Sequence, residues 1–374
     1  MDILLSKSVL VQALQIITPI TDKSSTKPIL SNFLLTSEGV GENQVEFSAT
    51  DYEISIRGRF PVTVNQSGSI CVSAKKLLDI CKEFREETIS IRSDDQKWVM
   101  VESGPSKLRL PTMEIGLYPR MESVKLSQSF RMEPKALRQT IERTKFAIQT
   151  NESRKTLMGV CLNISNGHTA RWTTTDGHRL AQVMLEVDQP QLNAPPEIII
   201  PRKALEELSK VAQAAQGPVD ISFDERTLTA KAGQLELTTR LIEGKFPNVD
   251  PIIPRGNPRH VVAERDRLLS TLTIISLMSG DKIKPVKLNL EAGNIRLESE
   301  KSEVGEVSDE LPVEYAGESV QVGFNASYLL DVLKVLDGAK NVQMELNGPL
   351  NPCLIHVPGD DSFLSVVMPL RIEW

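Results

Sequence analysis

The sequence predicts an α+β protein built from three similar units with antiparallel sheets. The order helix, strands, helix, strands is expected three times along the 374 residues. Three units of about 125 residues fit the usual size of a single domain. Strands and helices occur in groups and do not alternate singly, and this grouping favours antiparallel sheets over the parallel sheet of a βαβ fold.

The first unit contains two predicted helices. Ser6 begins one helix over Ser6–Ile17, and Ser73 caps another over Lys75–Arg85, because a serine hydroxyl can accept a free N–H group at a helix start. Apolar residues recur at helical spacing in both. Runs that alternate apolar and polar residues predict the strands Ile29–Leu35, Gln44–Ser48, Glu53–Phe60, Ile89–Arg92, Trp98–Glu102 and Lys107–Leu110.

The second and third units repeat this order. The predicted helices are Lys135–Lys145, Arg202–Gln213, Glu264–Met278 and Ser327–Lys340. The predicted strands are Gly159–Ile164, Ala181–Leu185, Val219–Phe223, Thr227–Lys231, Leu235–Arg240, Val286–Leu290, Ile295–Ser299, Val342–Leu346, Cys353–Val357 and Phe363–Met368.

Spacing supports a true repeat. Asp51 and Asp176, at matching turns, are 125 residues apart, and the helix residues Lys75, Lys203 and Tyr328 follow one another at 128 and 125 residues. Unit boundaries are expected near 122–128 and 250–258, where the second segment is rich in Pro and Gly. The predicted domains are 1–124, 127–250 and 254–374.

Composition excludes several classes of protein. The chain is 40% hydrophobic and 25% charged, without a run of about 18 apolar residues and without a secretory signal at its start. Its four cysteines form no CxxC pair and its four histidines no ligand pair, so we expect reduced cytoplasmic thiols and no metal site. No phosphate-binding glycine motif occurs, and no cofactor is expected.

The densest polar cluster is the segment Thr173–Leu180. Asp176-Gly177 is a turn signal between two strand-like runs, so His178 and Arg179 are expected at the exit of a turn where a partner can reach them. Asp176 and His178 could form an acid/base pair, but no third group that would orient them is evident. A binding-pocket wall or a structural turn is therefore favoured over a catalytic site.

Charge is distributed unevenly. The net charge is −6, yet the six predicted helices carry 16 Lys and Arg against 9 Asp and Glu, a net +7 that leaves −13 on the remainder. One interpretation is that these are ordinary solvated helix faces. The other is a shared helical surface that attracts phosphate backbone without reading base sequence.

Four segments carry a resemblance to a known family. Thr175–Leu180, Gly244–Pro247, Gly323–Leu333 and Val366–Arg371 resemble the bacterial replicative sliding clamp, the beta subunit of DNA polymerase III. The segments Pro28–Asn32 and Ile200–Lys203 are also similar, and the resemblance covers the whole chain in order.

The resemblance implies three domains of the DNA-clamp type in a ring-shaped, head-to-tail homodimer. Helices would line a central hole that holds double-stranded DNA, with sheets outside, and a closed head-to-tail pair forms no filament. The expected partners are the DNA polymerase III alpha subunit, a clamp loader, and other polymerases and repair proteins with clamp-binding peptides. No catalytic residue and no membrane association are implied.

The resemblance also implies a peptide pocket between the central and C-terminal domains. Such a wall suits an extended peptide with Leu and Phe anchors. Its residues here are Leu157, Thr175, Gly177, His178, Arg179, Leu180, Pro247, Ile252, Tyr328, Val367, Met368, Pro369 and Arg371.

Two further surfaces follow from the resemblance and from the helix charges. The dimer contacts map to Lys76, Ile80, Lys107, Leu108, Leu277 and Met278. The DNA-facing candidates are Lys23, Lys75, Lys82, Arg138, Arg143, Arg202, Lys203 and Lys210.

This sequence also departs from the family pattern. Lys155 and Thr156 replace two tyrosines beside the pocket, and Pro251 replaces an arginine there. Pro105 replaces an arginine at the dimer rim, Ser24 replaces an arginine in a DNA-facing loop beside Lys23, and the chain extends past Arg371 to Trp374.

Two alternatives remain beside the clamp hypothesis. One is an enzyme that uses Asp176 and His178, which would lose its rate on His178→Ala. The other is a partner-binding protein of the same fold that no longer holds DNA, which the net charge of −6 allows.

Overall fold

The fold is described from a computed structural model that covers residues 1–21, 27–95, 97–119, 126–165, 167–192, 197–278, 283–300 and 305–371. Within these ranges the chain forms six α-helices and 26 β-strands. The first repeat consists of β1 (Asp2–Ser6), α1 (Lys7–Ile17), β2 (Asn32–Thr36), β3 (Gln44–Thr50), β4 (Ile54–Pro61), β5 (Thr63–Gln66), β6 (Ser69–Ser73), α2 (Ala74–Glu83), β7 (Thr88–Asp95), β8 (Trp98–Ser103) and β9 (Ser106–Pro111).

The next two repeats follow the same order. The second consists of β10 (Gln128–Met132), α3 (Pro134–Lys145), β11 (Gly159–Ser165), β12 (Thr169–Thr175), β13 (Arg179–Glu186), β14 (Asp188–Gln191), β15 (Glu197–Pro201), α4 (Arg202–Ala214), β16 (Val219–Phe223), β17 (Thr227–Ala232) and β18 (Leu235–Arg240). The third consists of β19 (Arg259–Glu264), α5 (Arg265–Met278), β20 (Pro285–Glu291), β21 (Asn294–Ser299), β22 (Ser308–Glu314), β23 (Val320–Asn325), α6 (Ala326–Val335), β24 (Asn341–Leu346), β25 (Cys353–Val357) and β26 (Asp360–Val367).

All strand pairs are antiparallel, as predicted. Over the described residues the strands form three sheets, in the orders β5-β1-β7-β8-β9, β14-β10-β16-β17-β18-β4-β3-β2-β6 and β15-β11-β12-β13-β26-β25-β24-β19-β22-β21-β20-β23. In each repeat the first strand pairs with the strand after the second helix: β1 with β7, β10 with β16 and β19 with β24. The predicted α+β fold with a threefold repeat is therefore confirmed.

The chain divides into two compact units. The first comprises Met1–Arg138, Asp188–Asn193 and Lys203–Leu241, and the second comprises Gln139–Val187, Ala194–Arg202 and Ile242–Trp374. Each unit has its own apolar core. Phe33 and Phe47 stack at 5.5 Å in the first, and Trp172, Phe324 and Phe363 are fully buried in the second.

Serine caps begin the first two helices, as expected. The Ser6 hydroxyl accepts the N–H of Val9 at 3.2 Å, and the Ser73 hydroxyl accepts the N–H of Lys76 at 3.4 Å. Each bond satisfies a backbone donor that the helix itself cannot pair.

Two predicted elements are wrong in part. The predicted strand over Ile29–Leu35 begins with a 3₁₀ turn, Pro28–Ser31, because Pro28 favours a turn at its first position. The last helix ends at Val335 and not at Lys340, since the chain turns through Gly338, where φ is +85°. Short strands such as β1, β5 and β23 were not predicted.

The turns at Asp51 and Asp176 have the same structure. In both, the preceding threonine hydroxyl donates to the carbonyl four residues on, at 2.9 Å from Thr50 and 2.7 Å from Thr175. In both, the aspartate Oδ1 accepts the N–H groups two and three residues on, at 2.7–3.0 Å. The residue after the aspartate has a positive φ in both turns, 77° and 91°. The 125-residue spacing therefore relates equivalent positions of two repeats.

Candidate functional site

The turn between β12 and β13 does not have the geometry of an acid/base pair. Asp176 Oδ1 accepts the N–H groups of His178 and Arg179 at 2.9 and 3.0 Å, and its Oδ2 accepts Arg179 Nε at 3.1 Å. Both carboxylate oxygens thus hold the turn. The His178 side chain is exposed. His178 binds Asp176 through its backbone N–H and not through its imidazole ring. This geometry favours a binding wall.

Arg179 is less accessible than the sequence predicted. Its side chain is only 12% exposed, because the guanidinium points inward and binds three groups. Nη1 lies 2.6 Å from Asp331 Oδ2, Nη2 lies 2.6 Å from the carbonyl oxygen of Phe146, and Nε reaches Asp176. The expectation that a partner reaches Arg179 directly is therefore corrected: this residue positions its neighbours.

His178 and Tyr328 form an aromatic wall beside the turn. Their rings stack with centroids 6.3 Å apart and planes at 20°, and the Arg179 guanidinium lies 4.6 Å from the Tyr328 ring centroid. Met368 donates its N–H to the His178 carbonyl at 2.8 Å, and Val367 pairs with Arg179 across β13 and β26. The structure therefore brings these five predicted residues together.

An apolar cluster lies next to this wall. Leu157, Leu180 and Phe246 are buried in it, together with Val249 and Val366. Phe246 and Val249 belong to the segment that follows Gly244, and hydrophobic burial packs them with Leu180 of β13 and Val366 of β26.

A cavity of about 570 Å³ opens beside the same cluster. It is lined by the 3₁₀ segment Glu152–Leu157 together with Lys245 and Pro247. A volume of this size is typical of a ligand pocket. Thr156 also lines the cavity, and its methyl group lies close to Gly244, since a Cβ placed on Gly244 would lie 2.7 Å from it.

The remaining residues of the predicted wall differ in burial and in the groups that lie near them. Thr175 is buried in the turn, and a Cβ on Gly177 would lie 3.0 Å from Arg154 Nη1. Pro369 follows Met368 at half-buried positions. Ile252 and Arg371 have exposed side chains.

Burial raises the pKa of three ionisable groups in this unit, so that they stay uncharged. Partial burial, followed by the negative charge of Asp176, raises the pKa of Tyr328, so its hydroxyl stays neutral. Burial raises the pKa of the Cys161 thiol to about 12 and raises the pKa of Cys353 further. These thiols are therefore protonated and unsuited to act as nucleophiles.

The DNA-facing candidates differ in exposure and in whether a carboxylate pairs with them. Lys75, Lys82 and Arg138 are exposed, and none of them forms an ion pair within the part of the chain that the structure describes. Lys23 lies outside the described residues. Arg202 is exposed at the start of α4.

Three other candidates contact carboxylates. Lys203 pairs with Asp51. Lys210 Nζ lies 2.7 Å from Glu207 Oε1. Arg143 lies 3.6 Å from Asp360 and 5.7 Å from the Phe363 ring centroid, and its side chain is only 27% exposed. The cations with exposed, unpaired charge are therefore fewer than the sequence suggested.

The predicted dimer residues occupy an edge strand and two helices. Lys107 and Leu108 lie on β9, the edge of the five-stranded sheet, and Lys76 and Ile80 lie on α2. In the second unit, Leu277 is 76% exposed at the end of α5, followed by Met278.

Neither a metal site nor a membrane span is found within the described ranges. No group of three or more His, Cys, Asp or Glu side chains there is arranged to hold a metal ion. No helix there is both long enough and apolar enough to cross a membrane.

Sequence reasoning missed the residues that fix Arg179. Phe146 supplies a carbonyl oxygen and a ring 5.4 Å from the guanidinium, and Asp331 supplies a carboxylate. One signal was present: Asp331 follows Tyr328 by three residues, which places both on one face of α6. No sequence signal linked either residue to Arg179.

Three repeats of one α+β unit, with a stacked aromatic wall beside a cavity over Leu157 and Pro247, define a protein of the DNA-clamp class. The family models for the DNA polymerase III beta subunit match residues 1–122 (N-terminal domain), 131–248 (central domain) and 250–371 (C-terminal domain). The chain belongs to the DNA polymerase III beta subunit family.

Individual relatives agree along the whole length. The beta sliding clamp of Pseudomonas aeruginosa is 34% identical over 370 residues, covering 98% of this chain and 99% of that protein. The crystal structure of the DNA polymerase III subunit beta from the same organism has a TM-score of 0.92 at 32% identity and full coverage of both chains. A sliding clamp from Bartonella birtlesii bound to griselimycin has a TM-score of 0.94 at 29% identity, again with full coverage.

Proposed function

We propose that the chain is a DNA polymerase processivity factor. Two copies join head to tail into a ring around duplex DNA, and the ring tethers the DNA polymerase III alpha subunit while it slides. The observation that carries this proposal is the full-length match to beta sliding clamps across all three repeated domains. The proposed domains are 1–124, 127–250 and 254–374.

The exposed helix cations support sequence-independent DNA binding. Lys75, Lys82 and Arg138 have exposed side chains on α2 and α3. Contacts to phosphate hold a duplex without selecting bases, and each contact releases counterions. DNA binding is then steeply weakened by salt, whereas the acidic remainder of the chain repels DNA elsewhere.

An open strand edge and an apolar patch support the dimer. One side of the β9 backbone has no strand partner among the described residues. Ile274, Leu277 and Ile283 are 47%, 76% and 55% exposed, which is unusual for large apolar side chains that lie close together in sequence. Edge strands and apolar patches are suited to burial against a second copy.

The peptide pocket is proposed at the wall formed by His178, Tyr328 and Met368 and at the adjacent cavity over Leu157 and Pro247. An apolar floor with a few polar edge groups suits an extended peptide with Leu and Phe anchors. The clamp loader, other polymerases and repair proteins would use the same pocket. The chain has no catalytic chemistry of its own in this proposal, and it acts in the cytoplasm.

The dimer is tested by sedimentation at low micromolar concentration. Wild-type protein is expected to sediment as a dimer, and Leu277→Asp is expected to sediment as a monomer, because it places a charge in the apolar patch. Leu350→Asp is the control, since Leu350 is 57% exposed in the connection between β24 and β25 and not on α5. A wild-type monomer would contradict the ring, and equal effects of both variants would place the interface elsewhere.

A further inference from the structure

A second cavity lies in the first unit, beside the nine-stranded sheet. Its volume is about 450 Å³, which is within the range of ligand sites. Strands β2, β3, β4, β6 and β18 contribute lining residues, and Tyr118 and Pro119 line it as well. None of the residues assigned above to DNA, to the dimer or to the peptide pocket lines this cavity.

The register of the sheet places two hydroxyl side chains at this cavity. At the turn around Asp51, Thr50 pairs with Ser55 across β3 and β4, and Ser55 pairs with Thr238 of β18. Ser55 and Thr238 both line the cavity and are half-buried. The lining is therefore polar at the point where the strands of the first two repeats meet.

The second repeat has apolar side chains at the same two positions. At its equivalent turn, Thr175 pairs with Leu180, and Leu180 pairs with Val366 of β26. Leu180 and Val366 are buried in the apolar cluster with Phe246. A serine side chain is two heavy atoms smaller than that of leucine, and threonine has a hydroxyl where valine has a methyl group. The first repeat therefore has more room at this place, and the room is polar.

Partly buried carboxylates give the cavity a negative lining. The side chains of Glu46 and Glu236 are only 16% and 17% exposed, and Glu38 is an exposed lining residue. Arg57 is the one cation among the lining residues that the structure describes, and its Nη2 lies 2.5 Å from Glu236 Oε1. Three carboxylates thus stand against one guanidinium.

Two cations outside the lining leave these carboxylates able to bind a ligand. Arg59 Nε lies 3.2 Å from Glu46 Oε2, and Lys231 Nζ lies 3.1 Å from Glu236 Oε2. The side chains of Arg59 and Lys231 are 47% and 58% exposed, and ion pairs with such exposed partners are weak. Each carboxylate also accepts several hydrogen bonds. A cation from a ligand can therefore join or replace these contacts.

We propose that this cavity binds an extended peptide segment in which one Lys or Arg lies among small polar residues. The cation fits the carboxylates, and the peptide backbone and small side chains fit the hydroxyl lining. A Leu or Phe anchor would leave those hydroxyls and carboxylates without partners. The site is separate from the proposed Leu-Phe pocket and does not depend on it.

The test compares two fluorescein-labelled peptides by fluorescence anisotropy. One has the sequence Ser-Gly-Ser-Lys-Ser-Gly-Ser, and in the other the uncharged residue norleucine replaces Lys. Ser55→Leu with Thr238→Val gives the first repeat the side chains of the second and should fill the cavity. Glu46→Gln with Glu236→Gln removes two carboxylates but keeps the volume. The control is Glu225→Gln, at an exposed position of the same unit outside the lining.

The wild type should bind the Lys peptide about three- to tenfold more tightly than the norleucine peptide at low salt. The filled variant should bind the Lys peptide at least about tenfold more weakly than the wild type. The Gln double variant should lower the preference for Lys below about twofold, and Glu225→Gln should keep it. Thermal unfolding checks that each variant folds, and the Gln pair decides the matter if the filled variant does not.

Three outcomes would overturn the inference. The first is that the Lys peptide does not bind the wild type, or binds no more tightly than the norleucine peptide. The second is that a folded filled variant binds the Lys peptide as tightly as the wild type, which would place binding elsewhere. The third is that N-acetyl-lysine amide competes as well as the whole peptide, which would make this a site for an isolated cation.

Discussion

Arg179 Nη1 lies 2.6 Å from Asp331 Oδ2, although the two residues are 152 positions apart in the chain. This ion pair connects the turn between β12 and β13 with helix α6. The same guanidinium binds Asp176 in its own turn and the carbonyl of Phe146 after α3, so three segments of the second unit meet at one side chain. The position of the His178–Tyr328 stack depends on this node, since His178 precedes Arg179 and Tyr328 is one turn from Asp331 on α6.

Removing the Arg179 side chain is expected to destabilise the second unit. Arg179→Ala removes the side-chain donor to Asp176 Oδ2, Asp331 Oδ2 and the Phe146 carbonyl, which should lower the free energy of unfolding by about 2–4 kcal/mol. Urea unfolding followed by circular dichroism measures the change. Arg226→Ala, at an exposed turn position, is the control and should stay within about 0.5 kcal/mol. A loss below about 1 kcal/mol for Arg179→Ala would contradict the role given to this node.

Gly159 allows β11 and β15 to approach closely. A Cβ at this position would lie 2.3 Å from the backbone oxygen of Ile200, an atom that cannot move without disturbing the strand pair. Gly159→Ala should therefore lower the free energy of unfolding by about 2–3 kcal/mol or reduce soluble yield. Gly217→Ala is the matched control, because nothing lies within 4 Å of its added Cβ. Equal stability of the two variants would contradict this packing.

Glu207 should make stability depend on pH. Burial raises the pKa of this carboxyl above its ordinary value of 4.5, against the opposing effect of Lys210, and Oε2 has no hydrogen-bond partner among the described residues. Between the ordinary and the raised pKa, the folded state binds more protons than the unfolded state, so stability falls as pH rises through that interval.

Glu207→Gln should remove this pH dependence. The variant is expected to be more stable than the wild type at pH 7 and to approach it near pH 4, where the wild-type carboxyl is protonated in both states. Thermal unfolding from pH 4 to pH 8 measures the difference. Glu206→Gln, an exposed neighbour on the same helix, is the control. A variant that is less stable than the wild type at pH 7 would show that the Lys210 contact outweighs burial.

His178 should contribute to peptide binding through its ring. His178→Ala removes the stack on Tyr328 and is expected to weaken a Leu-Phe peptide by about three- to tenfold, the usual value of an aromatic pair. Fluorescence anisotropy measures it. His168→Ala is the control, because this histidine is exposed in the same unit away from the pocket. Unchanged peptide affinity for His178→Ala would remove the stacked pair from the binding wall.

Local signals in the sequence predicted local structure well. The serine caps of α1 and α2 and the turns at Asp51 and Asp176 followed from hydrogen bonds within a few residues, and the structure contains them. The last helix was predicted with a late end at Lys340, because its composition gave no clear stop before the turn at Gly338, where φ is positive.

Local signals in the sequence did not predict contacts between residues that are far apart in the chain. The inward position of Arg179 depends on Asp331, which lies in another repeat, so the residue looked like an exposed turn position. Lys203 looked like a solvated cation, but Asp51, in another repeat, pairs with it. The resemblance placed Leu157 and Pro247 at one pocket, but the cavity volume required the fold.

The central claim, that the protein encircles DNA, is tested most directly by retention on circular DNA. The protein is loaded by a clamp loader onto nicked circular DNA, the circle is separated by gel filtration, and half of the sample is linearised with a restriction enzyme. A ring should stay on the circle at moderate salt and run off the linear form, because only topology holds it. Equal retention on both forms, or no retention on the circle, would contradict the clamp.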